Sequence, residues 1–309
     1  MENPFFSIII PNWNGEAFLA RGVSSLLASA RAAKKPFEFI VVDDASTDNS
    51  IQMIKENFPD VKIIKNKKNR GFGFTVNRGV KAAGGEIVIL ANNDLVVKED
   101  FIPRLLEPFS GDEAKTLFGV SAKTVNWTDG EPNHVNMNAH LKQGFIDLTF
   151  EDSPELCPTL FLQGGACAIR RELFLQLGLF SPIYHPGYWE DYDLSYRAAK
   201  SGYRLLYQPK ALAYHLGKGS LSRVLGEEGI NSLVSRNRFL FTWLNLSDRG
   251  FLFKHFLLLP FHLFKEMISG GHLTLTKGFV KAAPKFFRAI SERKNRGVPA
   301  KISDRNLLK

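Results

Sequence analysis

Residues able to do chemistry stand where apolar runs end. Ile40-Val41-Val42 runs straight into Asp43-Asp44-Ala45-Ser46-Thr47-Asp48. A carboxylate there can accept the imide hydrogen of a uracil or thymine ring, or hydrogen bonds from a ribose; Ser46, Thr47 and Asp48 also suit the cap of a following helix. An earlier run closes in Pro11-Asn12-Trp13-Asn14-Gly15, adding an aromatic ring and amides. Taken alone, Trp13 reads as core more readily than as a platform for a base. Asn92-Asn93-Asp94 follows a third run. One carboxylate flanked by amides can hold Mg²⁺ or Mn²⁺, whose other ligands are waters and substrate phosphates, and the same residues also make an ordinary turn.

Later in the chain, Trp189-Glu190-Asp191-Tyr192-Asp193-Leu194 places three carboxylates at a helix start. They offer a general base, but also plain complements to the helix dipole and an Asp193–Arg197 pair. His215-Leu216-Gly217-Lys218-Gly219-Ser220 joins a metal-ligating ring to a cation, two glycines and a hydroxyl, all able to address a diphosphate. A lone histidine is more often structural. Asn69-Arg70-Gly71-Phe72-Gly73, with Asn77-Arg78-Gly79 beyond it, matches a dinucleotide fingerprint weakly. Its backbone amides and basic groups near a helix start still suit phosphate or ribose.

For these residues to meet, the runs must be strands of one sheet. Short apolar runs at 6–11, 37–42, 61–65 and 86–91 alternate with helical patterns at 18–32, 50–57 and 75–83. That alternation is the signature of βαβ units and a mainly parallel sheet, in which ligands gather beyond the carboxyl ends of the strands. Residues 109–160 are irregular and turn-rich, and read as loops and less regular strands facing a ligand. A strand at 165–170, helices at 171–177 and 193–201, and strands at 203–208 and 211–215 follow. From residue 231 the chain reads as amphipathic helices. Phe279, Ala283, Phe286, Phe287 and Ile290 share one face and Lys281, Lys285 and Arg288 another, the arrangement of a helix lying in a lipid interface, interrupted by Pro284.

The 309 residues are 44% hydrophobic and 23% charged, which excludes a disordered or low-complexity chain. Cys157 and Cys167 are too few for a disulfide framework or a four-sulfur metal site. The opening Met1-Glu2-Asn3-Pro4 lacks the zones of a secretory signal, which places the chain in the cytoplasm. The longest apolar stretch, 251–264, is interrupted by Lys254, His255, Pro260 and His262, against a membrane-spanning helix. Charge is divided unevenly: residues 249–309 carry 13 Lys and Arg against 3 Asp and Glu, and residues 1–248 carry 27 against 28. A neutral body with a basic, Phe- and Leu-rich tail points to an anionic lipid surface at the inner face of the cell membrane rather than to nucleic acid. A solvated basic helix is the plain alternative.

In their order along the chain, these motifs resemble the family-2 glycosyltransferases, whose nucleotide-sugar-binding fold is called GT-A. The resemblance spans about residues 6–220 and rests on Ser7-Ile8-Ile9-Ile10-Pro11-Asn12-Trp13-Asn14, Val41-Val42-Asp43-Asp44-Ala45-Ser46-Thr47-Asp48, Asn69-Arg70-Gly71-Phe72, Asn92-Asn93-Asp94, Gly164-Gly165-Ala166, Glu190-Asp191-Tyr192-Asp193-Leu194 and His215. Within the family the chain is most similar to the branch that includes bacterial rhamnosyltransferases. The fold implied is α/β with a mainly parallel central sheet: a GT-A domain over residues 1–225, then a basic helical, membrane-associating region over 226–309.

The resemblance implies a donor site in which Pro11, Trp13 and Asp43 or Asp44 surround the base, with Asn12, Asn69, Gly71, Asn77, Asn93 and Lys218 nearby. Asp94 and His215 would hold Mg²⁺ or Mn²⁺; Asn92 stands where the family usually has a first acid. Asp191 takes the position of the catalytic base, with Glu190 beside it to orient the acceptor, and Gly164 and Gly165 let sugar or acceptor approach the backbone. The implied activity is inverting transfer from a dTDP- or UDP-linked sugar, dTDP-rhamnose among the candidates, to a lipid-linked or polysaccharide acceptor. The rival readings are a non-catalytic, membrane-associated nucleotide-sugar-binding scaffold, a nucleic-acid binder and a nucleotidyltransferase. The last would carry a basic Gly-rich loop where this chain has Asn12-Trp13-Asn14.

Overall fold

The computed structural model describes residues 5–308 apart from 113, 218–219, 270–271 and 297–299. The first half builds as the alternation predicts: β1 (Phe6–Asn12), α1 (Glu16–Ala32), β2 (Phe37–Asp43), α2 (Ser50–Asn57), β3 (Lys62–Lys65), α3 (Phe72–Ala82) and β4 (Ile87–Ala91). Then come β5 (Leu95–Val97), α4 (Phe101–Leu106), β6 (Leu117–Asn126), β7 (Pro132–His134), the hairpin β8 (Asn136–Lys142) and β9 (Phe145–Glu151), β10 (Cys157–Pro158), β11 (Ala166–Arg170), α5 (Arg171–Gln176), α6 (Glu190–Lys200) and β12 (Arg204–His215). Helices α7 (Ser220–Asn245), α8 (Arg249–Ile268), α9 (Thr274–Ala282), α10 (Phe286–Asn295) and α11 (Asp304–Leu307) complete the chain.

The main sheet runs β10-β12-β6-β11-β4-β1-β2-β3. β1 is parallel to β2 and β4, β2 to β3, and β6 to β12, while β11 alone of the long strands runs against its neighbours β4 and β6. The carboxyl ends of β1, β2, β4, β6 and β12 therefore share one edge with the amino end of β11. Strand alternation sends Ile9, Val88 and Leu90 into one core and Ile8, Ile10, Ile87 and Ile89 into another. The second core lies under α1 and α4. The first continues without interruption into α7, α9 and α10 through Phe239, Trp243, Ala282 and Ala289, so residues after 226 share a core with the sheet.

Three expectations need correction. Residues 117–126, read as irregular, form a ten-residue strand inside the sheet. Gly119, Ser121 and Thr124 disguise it, because small or polar residues stand where an apolar side chain would announce burial. Gly119 is there of necessity: a Cβ would sit 2.7 Å from the Ala168 backbone oxygen. Second, α6 starts at Glu190 rather than 193, with Glu190, Asp191 and Asp193 all in its first turn. Third, Phe279 meets Phe239 and Phe286 meets Trp243 edge to face, so much of the face assigned to lipid is turned into the protein. Pro284 sits in a single 3₁₀ turn that leads into α10.

The tail is tied to the back of α6. Arg296 donates to Asp193 Oδ1 (2.7 Å), which also accepts from Asn245 (2.7 Å), while Arg197 holds Oδ2 (2.8 Å). Burial alone would raise the Asp193 pKa, but the two guanidiniums and these hydrogen bonds carry it down to about 2. Lys200 pairs with Asp304 at 2.7 Å in the same layer.

Candidate active site

The shared strand edge opens into one cleft of about 780 Å³. Pro11 and Asn12 at the end of β1 with Trp13 beyond, Asp44 after β2, Asn92, Asn93 and Asp94 after β4, and His215 at the end of β12 all line it. So do Asn69 and Gly71 before α3, Gly164 and Gly165 before β11, and Glu190 and Asp191 at the start of α6. Residues far apart in sequence meet because strand ends at the same edge, and the starts of α3 and α6 beside them, face one cleft.

Several are held by one another. The Asn12 amide donates to Ser50 (3.0 Å) and its oxygen accepts from Asn93 (2.9 Å), tying the ends of β1 and β4 together. Asp44 accepts from the Asn66 amide (2.6 Å) and from the backbone N–H groups of Arg70 (2.9 Å) and Gly71 (2.8 Å), so it shapes the turn into α3. Gly71 has φ +79°, and a Cβ there would lie 2.6 Å from Pro186 O; only glycine fits.

Two donor-site expectations fall elsewhere. Asp43 is buried beneath the cleft, where it accepts from Asn12 and the Ser46 amide at 3.3 Å. Asn77 clamps the Phe180 backbone on both sides, donating at 2.8 Å and accepting at 2.9 Å, and does not line the cleft. Lys218 lies outside the described residues. Gly164 and Gly165 have a different reason from the one expected: a Cβ on Gly164 would stand 2.9 Å from Asp191 Cβ, and one on Gly165 2.4 Å from the Asn92 side chain. The protein's own site residues occupy that space.

Asp191 is half-buried, with Oδ2 accepting from the Gly164 N–H (2.9 Å) and Oδ1 from its neighbour Tyr192 N–H (2.9 Å). Burial raises its pKa to about 6, and these amides limit the rise. Glu190 is raised further, to about 8, by burial and then by the Asp191 charge. Glu190 Oε2 has no hydrogen-bond partner among the described residues although it is buried. An acid kept protonated with an unsatisfied oxygen, beside a carboxylate that ionises first, is an arrangement suited to moving a proton. Tyr188 and Trp189 just before them both take left-handed backbone, φ +70° and +74°. Each costs about 1–2 kcal/mol, and Asn237 of α7 stabilises the turn by donating to Gly187 O and Tyr188 O, both at 2.8 Å.

Across the cleft, Asp94 Oδ2 lies 3.4 Å from His215 Nδ1. Gly217 O accepts from that same nitrogen (2.8 Å), so in the neutral ring Nε2 keeps its lone pair. No cluster of three or more His, Cys, Asp or Glu converges on a metal position among the described residues. One carboxylate and one imidazole fit a hydrated divalent cation that completes its shell from phosphates and water. His134 and Gln163, which no motif singles out, also line the cleft and meet at 3.1 Å. Burial, then His215, push the His134 pKa down to about 4, so its ring is neutral at pH 7. His134 sits in the stretch read as irregular, and only the pairing of β7 with β6 carries it to the cleft.

Comparison with known proteins agrees with this architecture. The chain is 26% identical over 249 residues to the succinoglycan biosynthesis protein ExoO of Rhizobium meliloti, covering 75% of this chain and 66% of that protein. It is 36% identical over 105 residues to an undecaprenyl-phosphate 4-deoxy-4-formamido-L-arabinose transferase of Pectobacterium carotovorum, covering 33% of this chain and 32% of the relative. Thus the chain spans less than two thirds of the length of either. The crystal structure of GalNAc-T7 with UDP, GalNAc and Mn²⁺ superposes with a TM-score of 0.63 at 18% identity, covering 97% of this chain and 59% of that one. The mannosyltransferase PcManGT of Pyrobaculum calidifontis, solved with GDP-Man and Mn²⁺, gives 0.57 at 16% identity over 96% of this chain and 85% of that one. These likenesses show the GT-A fold. Residues 7–178, more than half of the chain, match Glycosyl transferase family 2, and the chain belongs to that family.

Proposed function

We propose that this chain is a divalent-metal-assisted, inverting glycosyltransferase that moves a sugar from a dTDP- or UDP-linked donor to a hydroxyl of a lipid-linked or polysaccharide acceptor. The observation that carries the reading is Asp191: a carboxylate with a raised pKa, fixed by the Gly164 N–H, facing the same cleft as Asp94 and His215. An acceptor hydroxyl is a poor nucleophile at neutral pH, so Asp191 takes its proton as it attacks the anomeric carbon. Attack from the face opposite the departing nucleotide inverts that carbon. Glu190, protonated at neutral pH, donates a hydrogen bond that orients the acceptor. A cation held by Asp94 and His215 would neutralise charge on the diphosphate. Trp13 and Pro11 supply the wall for the base, and the neutral His134–Gln163 pair offers contacts to sugar hydroxyls. Leu148, Leu221 and Val234 give the cleft an apolar side suited to an acceptor on a lipid carrier. The names of the bacterial relatives, in succinoglycan synthesis and undecaprenyl-linked sugar transfer, support that class of acceptor.

The test is turnover of a panel of dTDP-, UDP- and GDP-sugars by the purified protein with Mg²⁺ or Mn²⁺, run beside Asp191→Asn. Turnover of one donor, lost in the variant while nucleotide binding persists, establishes the reading. Nucleotide binding without turnover, even with membrane extract supplying acceptors, favours the scaffold reading instead.

A further inference from the structure

Helix α8 is apolar on two opposite sides. Its inner side is accounted for: His255 Nδ1 donates to Gly144 O (2.8 Å) and Nε2 accepts from Trp243 (3.1 Å), while Leu259 is buried. Its outer side is not. Phe253, Leu257, Phe261, Phe264 and Ile268 are each 60–68% exposed. Their spacing of four, four, three and four residues sets them in one stripe about 22 Å long. Phe287 of α10, 83% exposed, extends the patch through its ring contact with Phe286, which itself touches Phe256 of α8. No helix among the described residues is long and apolar enough to cross a membrane.

The segment that carries the stripe is basic, and Asp248, which caps α8, is paired with Arg305 at 2.7 Å. Residues 249–309 contain only three acids, and each is engaged within the protein. Glu266 accepts from the backbone N–H groups of Leu275 (2.8 Å) and Thr276 (2.7 Å). Glu292 binds Ser181 and Arg296, and Asp304 binds Lys200. Lys254 and Lys265 stand exposed on α8 itself. A second copy of the chain would bring a like-charged face to this one, whereas an anionic bilayer offers both hydrocarbon for the Phe and Leu side chains and negative charge for the lysines.

We infer that α8 is a monotopic membrane-docking helix, lying in the headgroup plane of an anionic bilayer with the Phe253–Ile268 stripe in the acyl boundary. The inference stands on the helix alone and does not rest on the reading of the cleft. α8 packs on α7 and on the turn of the β8–β9 hairpin, and those same elements supply Val234 and Leu148 to the cleft wall. Docking by α8 brings the apolar side of the cleft next to the bilayer.

Co-sedimentation of the full chain with vesicles tests this, using phosphatidylcholine alone and a 3:1 mixture with phosphatidylglycerol, roughly the anionic fraction at which surface potential attracts basic segments. The wild type binds the anionic vesicles, and more weakly as salt rises. Leu257→Glu with Phe264→Glu lowers the partition coefficient at least about 100-fold, because two large apolar side chains can no longer leave water. Both side chains point outward, so circular dichroism and nucleotide binding stay as in the wild type and separate lost docking from lost folding. Lys254→Glu with Lys265→Glu weakens binding to anionic vesicles and leaves the small affinity for phosphatidylcholine unchanged. Equal vesicle binding by the Leu257/Phe264 variant overturns the inference. So does a wild type that ignores vesicles, whether it is monomeric or forms a dimer that the same substitutions dissociate.

Discussion

The pH dependence of Asp191 offers the sharpest test of the mechanism. With its pKa raised to about 6, the carboxylate is about 10% ionised at pH 5 and about 90% at pH 7, so kcat/KM should climb roughly tenfold over that interval. An ordinary aspartate, at 3.8, would already be ionised at pH 5 and give a flat profile. The sign follows from the role: a base works deprotonated, so activity is gained as pH rises through its pKa. Glu190 should contribute a second, separate limb near pH 8, where loss of its proton places another negative charge beside Asp191. Asp191→Asn should cut kcat by about 10²–10⁴ while nucleotide affinity is retained. Glu190→Gln should keep the limb near 6 and abolish the one near 8. The assay is initial-rate transfer from about pH 4.5 to about pH 9, which brackets both groups, at saturating metal. A flat profile from pH 5 to 7 with donor still bound, or an Asp191→Asn enzyme within tenfold of wild type, would refute the assignment.

Other expectations concern the supports. Arg296→Met removes one of two cations from buried Asp193 and should cost about 3 kcal/mol in urea unfolding. Because the Asp193 pKa is depressed, its contribution is present above its ordinary 3.8 and lost as pH falls toward about 2; in the variant that acid transition should move upward. Gly164→Ala should keep the fold and nucleotide binding but lower kcat, since its Cβ displaces Asp191; unchanged kcat would count against positioning by Gly164. Asn77→Ala deletes both bonds to Phe180 and should cost about 2 kcal/mol without altering donor affinity, measured by unfolding and nucleotide titration side by side. Asp94→Asn should raise the Mn²⁺ concentration needed for half-maximal activity, and an unchanged metal titration would remove Asp94 from the metal site.

The strands that build the site are readable because Ile8–Ile10, Ile40–Val42 and Ile87–Ala91 are buried on both faces and form short apolar runs followed within two residues by Asn or Asp. Strand β6 is not, since its interior positions are tuned to neighbours rather than to hydrophobicity: the Ser121 hydroxyl accepts from the Gln163 N–H (3.1 Å). Asn77 looked like a ligand contact because nothing local reveals a partner 103 residues away. The tail shows the same limit. Periodicity identifies an apolar face but not what covers it, so Phe279 and Phe286 were assigned to lipid although they pack on α7. The exposed stripe of α8 was hidden because apolar residues surround that helix on both sides.

The clasp on α6 also sets a calendar for the newborn protein. Asp193 is synthesised 103 residues before Arg296, and Lys200 104 residues before Asp304. Until the tail is made, Asp193 has Arg197 of its own helix but not Arg296 or Asn245, and the first core of the sheet lacks Phe239, Trp243, Ala282 and Ala289. The second guanidinium on Asp193 and the carboxylate partner of Lys200 come only with the residues after α10. The far end of the chain thus supplies the last ion pairs on the helix that carries Asp191.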